Sequence, residues 1–277
     1  MFNHQKIGRV PVFFDICFPV PKYYILFCMI SWGRQRQLVF VGSIGLAIAL
    51  AVGIPAFLSR EGSKCDNKVK DGNERGVDCG GSCRFVCASD VALPVLQFVR
   101  LVPLERGLIG AVAYSENRNT DAGVRKAAYL FKFYDDAQLL VMERRGTAYI
   151  PPGKAFAVFE GRIPVGSRTP TRAVFEWSGP LRFEKLSPEP ALAIRNELFE
   201  AGEISRLTAE LRNDTLASFE GIKVTALLFD ETGNVFAAGS KYVPELSAKK
   251  EAPLSFTWPA VLPFPARIEM LYTVSGQ

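Results

Sequence analysis

Four cysteines crowd into the 23-residue run CDNKVKDGNERGVDCGGSCRFVC: Cys65, Cys79, Cys83 and Cys87. Such a set makes either two disulfides or one four-thiolate zinc site. Zinc modules space two short cysteine hairpins well apart, whereas here three cysteines follow one distant partner at four-residue steps, the arrangement of a disulfide framework. The spacing leaves all three pairings open. Between the first two cysteines lie Asp66, Asn67, Asp71, Glu74 and Asp78, hard oxygen ligands of the kind calcium takes. The helix–loop–helix calcium pattern fails for want of oxygen residues at its third and fifth positions. The same residues also suit turns, with Gly72, Gly76, Gly80 and Gly81 supplying positive φ. A calcium site on these five side chains is thus an expectation that competes with turn formation, and no other cofactor is expected.

Elsewhere the inventory excludes more than it offers. His4 is the sole histidine and sits at the extreme N-terminus, so no Ser-His-Asp or Cys-His pair and no His-ligated metal fits the body of the chain. Neither a G-x-x-x-x-G-K loop nor a G-x-G-x-x-G turn occurs. Ser247 and Lys250 form an S-x-x-K without its partner motifs, in a turn between strands. Asp135 with Asp136 and Asp230 with Glu231 are acid pairs that a glycosidase would need across a sugar cleft, yet each follows a strand, where a hairpin tip belongs. Tyr114, Trp177, Tyr242, Trp258 and Tyr272 are strand aromatics, suited to a sugar-binding face or to packing. Asn213-Asp214-Thr215 reads as a glycosylation sequon or as plain turn chemistry. No catalytic residue is expected.

The elements that position these groups start at a membrane. Residues 38–58, LVFVGSIGLAIALAVGIPAFL, are 21 residues without a charge, about 31 Å of helix, the thickness of a bilayer core. Five bases against Asp15 precede it, and residues 59–90 balance six bases with six acids. That asymmetry keeps residues 1–37 in the cytoplasm as a tail and exports the rest. The alternative, a signal peptide cut after Ala49 and Ala51, would leave an apolar VGIPAFL end. Met29 opens MISWGRQRQ just before the span, so residues 1–28 read as a mis-called start. Gly45, Ala49 and Gly53 share one helical face and allow a helix-mediated homodimer. Cys17 and Cys28 fall on the reducing side and the other four cysteines on the oxidising side. The net charge of +5 collects in the tail, while residues 91–277 carry only +1, so nucleic acid is not an expected partner.

After the cysteine-rich juxtamembrane segment 59–90, the pattern is short alternating strands broken by Pro, Gly, Asn and Asp turns. FKFYDDAQLLVMERRGTAYIPPGKAFAVFEGRI from Phe131 lies over ALLFDETGNVFAAGSKYVPELSAKKEAPLSFTWP from Ala226, a repeat of about 95 residues. The polar turns NRNTDAG and RNDTLAS precede the two copies in step. The expected fold is all-β: two tandem immunoglobulin-like β-sandwiches, 91–178 and 191–277, each of seven-strand size, joined by a Pro-rich linker 179–190, behind one transmembrane helix.

The cysteine run resembles a motif found just outside the membrane in single-span, surface-exposed bacterial proteins, with Glu74, Val77, Asp78, Cys79, Gly80, Gly81 and Cys83 at the matching spacing. Asn67 and Lys68 stand where that family has Asp-Gly, and Asp71 where it has Asn. The run Phe131–Asp135 resembles the signature of the FxLYD family of bacterial extracytoplasmic sandwich domains, with Leu227, Leu228, Phe229 and Asp230 a weaker second match and Ile150–Lys154 similar to the turn before that family's last strands. Together the resemblances imply a surface protein with immunoglobulin-like domains and carry over no catalytic residue. The function expected is a non-catalytic structural or interaction module of the cell envelope, anchored in the bilayer and meeting an envelope protein or polysaccharide. The alternatives are an envelope carbohydrate-active enzyme using the acid pairs, and an accessory subunit of a secretion or pilus apparatus.

Overall fold

The computed structural model describes residues 32–58, 64–105, 107–166 and 168–275, in two compact units, 1–61 and 62–277. In the first unit α1 (Trp32–Leu58) runs for 27 residues, about 40 Å. Its Gln35–Pro55 stretch has a mean hydropathy of 2.3, long and apolar enough to cross a membrane. Leu38, Val39, Phe40 and Val41 are each more than 60% exposed, so this apolar surface is not spent on a protein core. Cys17 and Cys28 lie outside the described residues.

The second unit is all-β. Its strands are β1 (Val95–Glu105), β2 (Leu108–Asn117), β3 (Ala122–Tyr134), β4 (Leu140–Ile150), β5 (Lys154–Pro164), β6 (Arg172–Trp177), β7 (Glu184–Lys185), β8 (Ala193–Glu200), β9 (Ser205–Arg212), β10 (Phe219–Phe229), β11 (Val235–Leu246), β12 (Glu251–Trp258) and β13 (Arg267–Val274). All pairings are antiparallel, in the orders β1-β2-β5 and β4-β3-β6, then β12-β9-β8 and β11-β10-β13. Strand for strand the second half repeats the first. Among the described residues each half has six full strands where its size suggested seven; in immunoglobulin-type terms these are A-B-E against C′-C-F, with no strand D or G among them.

The repeat is built from the same physics twice. Phe131 and Phe133 on β3, at 0% exposure, fill the first core with Phe156, Phe175 and Ile150. Ala226 and Leu228, one repeat later on β10, do so in the second core with Leu207, Leu211, Phe256 and Trp258. At the hairpin tip that follows, Asp135 accepts the Leu139 N–H at 2.8 Å and Asp230 accepts the Thr232 and Asn234 N–H groups at 2.9 Å. Asn117 and Asn213, both buried, stand at the last residue of β2 and just after β9. Each folds its own loop, Asn117 Oδ1 accepting the Asn119 N–H and Asn213 Oδ1 the Thr215 N–H. Each amide then ties that loop to the turn before β5 or β12: Asn117 donates to Ala122 O and Pro151 O, and Asn213 to Ala217 O, Leu246 O and Ser247 O.

A third cluster joins the halves. Val102 and Val112 on the outer face of the β1-β2-β5 sheet pack on Leu227, Phe229, Val235 and Ala238 of the β11-β10-β13 sheet. The four sheets therefore stack as four layers around three apolar cores. Nor is the segment 179–190 a free tether. Phe183 is buried in the first core, and β7 pairs with β3 at Ala122 and Gly123.

Candidate functional site

The cysteine segment forms Cys65–Cys83 and Cys79–Cys87 bridges, an interlaced pairing of first with third and second with fourth. Its Gly-Gly step has a steric reason: Gly80 and Gly81 adopt φ of 74° and 57°, and a Cβ on Gly81 would stand 2.0 Å from the Asn73 carbonyl oxygen. The segment docks on the first sandwich. Val86 N–H donates to Phe183 O, Lys185 N–H to Arg84 O, and Arg84 and Arg125 both pair with the buried Glu184, at 2.6 and 3.1 Å.

The oxygen side chains between the cysteines are occupied by the loop's own backbone. Asp71 accepts the Lys64 N–H, Asp78 the Lys68 N–H, Glu74 the Asp71 and Asp78 N–H groups, and Asn67 the Val69 N–H. Asp66 is exposed. Among the described residues no three of the carboxylates Asp66, Asp71, Glu74 and Asp78 gather within 4.8 Å of one another, while Asn67 donates to Asp71 at 2.6 Å. Glu74 groups with the sulfurs of Cys65 and Cys83, which are joined to each other and hence not thiolates that would ligate a metal. Turn formation thus uses Asn67, Asp71, Glu74 and Asp78.

The other candidates disperse. Arg168 donates to Asp135 at 2.9 Å and holds its carboxyl below the usual range, while Asp136 and Glu231 are exposed at separate hairpin tips. Ser247 and Lys250 close the β11–β12 turn through a backbone bond of 3.2 Å. Trp258 lies in the second core, Trp177 packs on the first, Tyr114 sits between the sandwiches, Tyr272 packs on the second core beneath Lys154, and Tyr242 is exposed.

Two features between the sandwiches were not anticipated. The first is a latch. Lys154 Nζ, on the first residue of β5, donates to Glu189 Oε2 at 2.8 Å and to the Tyr272 carbonyl at 2.9 Å, 3.7 Å above the Tyr272 ring. Glu189 Oε1 accepts the Val274 N–H, and Tyr272 Oη donates to Pro190 O. Two groups on the edge of β13, the Tyr272 carbonyl and the Val274 N–H, are thereby satisfied by side chains instead of by a strand. Beside it Tyr114 Oη donates to Glu269 at 2.7 Å; burial and this carboxylate push the phenol up to about 12.

The second is a cleft of about 450 Å³ whose walls come from both sandwiches: Leu104, Leu108 and Phe159 from the first, Ser240, Thr257 and Trp258 from the second. At its rim Arg162 pairs loosely with Glu105 at 3.7 Å. Arg162 has φ of 55° on β5, beside the bulge that shifts the β2–β5 register. The cleft offers apolar walls, hydroxyls, open main chain and one ion pair, which is the chemistry of recognition.

No family model matches the chain, and no curated protein matches its sequence. Among solved structures, a red sea bream transglutaminase is similar at 12% identity and a TM-score of 0.23, over 66% of this chain and 29% of that one. The chain thus spans under a third of that enzyme, and a likeness of this degree bears on neither fold nor activity.

Proposed function

We propose that this protein is a non-catalytic interaction module of the cell envelope, held in the membrane by α1 with residues 1–37 in the cytoplasm and residues 62–277 outside. The carrying observation is the joining of a disulfide-bridged segment and two fused sandwiches into one compact unit that follows a membrane-length apolar helix. Disulfides suit the oxidising side of a membrane, and the resemblance of the cysteine run and the FKFYD run to surface-protein motifs supports the same reading. Four stacked sheets make a stiff platform, and the cleft on it is concave and mixed in polarity, as ligand sites are.

The test is protease treatment of intact cells carrying the full chain tagged at both ends, followed by binding of the purified chain, in lipid nanodiscs, to envelope polysaccharides and peptide libraries. The expected result is loss of the C-terminal tag, retention of the N-terminal tag, and binding to at least one polymer class. A protected C-terminal tag, or silence with every class, contradicts the proposal.

A further inference from the structure

The prolines of the second sandwich disclose where its free hydrogen-bonding groups lie. Pro253 sits inside β12, which pairs with β9 without interruption from Glu251 opposite Arg212 to Trp258 opposite Ser205. Proline has no N–H to give a ladder, so its backbone position faces away from β9. Residues of an antiparallel strand alternate in this respect, so Ser255 and Thr257 also direct their N–H and C=O groups to the open edge. Pro244 marks β11 likewise, turning the backbone of Ser240 and Ala238 away from β10. The Trp258 indole confirms that register, because its N–H donates across the gap to Ala238 O at 3.1 Å. Neither edge has a ladder partner on this side among the described residues: β12 and β11 each end their sheets. This is the place of the missing strand D, and it opens into the inter-sandwich cleft.

We infer that the cleft takes an extended peptide segment of another protein, which adds as a strand to the edge of β12 through the backbone of Ser255 and Thr257. Main-chain pairing would supply affinity, and alternate side chains would supply choice. One set of the peptide's side chains faces the apolar wall of Leu104, Leu108 and Phe159. A carboxylate on the peptide meets Arg162, whose side chain is 83% exposed and whose acidic neighbour Glu105 stands at 3.7 Å, leaving guanidinium N–H groups to donate. A second copy of this chain is a poor occupant. Its β12 carries the same first-sandwich wall alongside, which keeps two such edges apart. The opposite edge, β13, shows the contrast, since Lys154 and Glu189 already occupy its carbonyl and N–H.

This inference rests on the proposed interaction role and narrows it to one chemistry and one strand. The test pans a phage-displayed random 12-residue library on the full chain in nanodiscs, and then follows residue-level amide exchange with the enriched peptides. In the free chain, Ser255 and Thr257 should exchange fast while Phe256 is protected, and bound peptide should slow both fast amides. Thr257→Pro removes one outward donor, as Pro253 already does, and should weaken binding about threefold to tenfold, the value of one hydrogen bond. Retained protection of Phe256 shows that this variant is folded. Arg162→Gln should weaken acidic peptides more than their amidated counterparts. Slow exchange at Ser255 and Thr257 without peptide, or enriched peptides that protect other segments and ignore Thr257→Pro, would overturn the inference. Peptide or polysaccharide binding elsewhere would leave the interaction role standing and remove this site alone.

Discussion

Lys154 and Glu189 stand 2.8 Å apart where the two sandwiches meet, with the glutamate side chain 2% exposed and the lysine 27% exposed. Each also bonds the free edge of β13, at Tyr272 O and Val274 N. Breaking a buried pair by removing one member costs far more than the pair gained in forming, because the other charge stays buried and alone. Lys154→Met keeps the stem over Tyr272 and deletes the ammonium, and should destabilise the folded chain by about 3 kcal/mol at pH 7. Lys154→Met combined with Glu189→Leu should cost less than Lys154→Met alone. Urea unfolding of the three chains checks this, and a double variant worse than the single one would refute it.

The same pair has a pH signature. Burial raises the Glu189 carboxyl above its ordinary 4.5, more than the Lys154 charge and hydrogen bond and the Val274 N–H lower it. A carboxyl raised in the folded state binds its proton more tightly there, so its contribution is fully present below 4.5 and is lost as pH climbs through the folded value. Glu189→Gln abolishes this titration. The stability of the natural chain relative to Glu189→Gln should therefore rise as pH is lowered from 7 toward 4.5. Asp135, Asp214 and Asp230 behave oppositely, held low chiefly by Arg168, Arg212 and Thr232, and their contribution is lost as pH falls below 3.8. Denaturation midpoints across that range separate the two windows.

Asn117 and Asn213 should be the most sensitive polar positions of the repeat. Alanine at either removes one donor from two or three carbonyls, of which Ala217 O and Ser247 O keep the Thr215 hydroxyl and the Lys250 N–H, at a cost of about 2 kcal/mol. Asp at Asn213, unable to donate, should be no better than Ala. Thermal unfolding of the three variants tests this, and a near-neutral Asn213→Ala would contradict the assigned role.

How far the residues announced this architecture depends on the range of the interaction. The span, the cysteine framework and the 95-residue repeat rest on local pattern, and the FKFYD run shows its two core rings by alternation alone. The N-x-N and N-D-T turns were visible as turns, but their reach to the turns before β5 and β12 was not, because those contacts lie 34 residues away. The ALLF run on β10 is buried on both faces, Leu228 in the second core and Leu227 and Phe229 between the sandwiches. That breaks the alternation expected of a strand with one wet face, and it was the available sign that the sandwiches stack. Glu189 sat in a stretch whose prolines suggested a tether, and nothing local marks it as the partner of Lys154. The acidic loop was open to two readings, since carboxylates that accept backbone N–H groups and carboxylates that hold calcium share one composition.

The bridges should brace the juxtamembrane segment without being required by the sandwiches. Replacing Cys65 and Cys83 with serine opens an 18-residue loop and should cost about 3 kcal/mol, and replacing Cys79 and Cys87, 8 residues apart, somewhat less. Amide exchange should rise across residues 64–90 in both cases while β2, β3, β9 and β10 keep their protection. Collapse of protection in the sandwiches would show that the segment is part of their core.

The most direct test of an exported, disulfide-braced body is the thiol inventory of the full chain taken from its own membrane. The chain is alkylated without reductant, weighed intact, and mapped by peptide. The expected result is no alkyl group on Cys65, Cys79, Cys83 or Cys87, with Cys65 joined to Cys83 and Cys79 to Cys87, and alkyl groups on Cys17 and Cys28 where the chain starts at Met1. Alkylated Cys65, Cys79, Cys83 and Cys87 would place residues 62–277 on the reducing side of the membrane and contradict the envelope assignment.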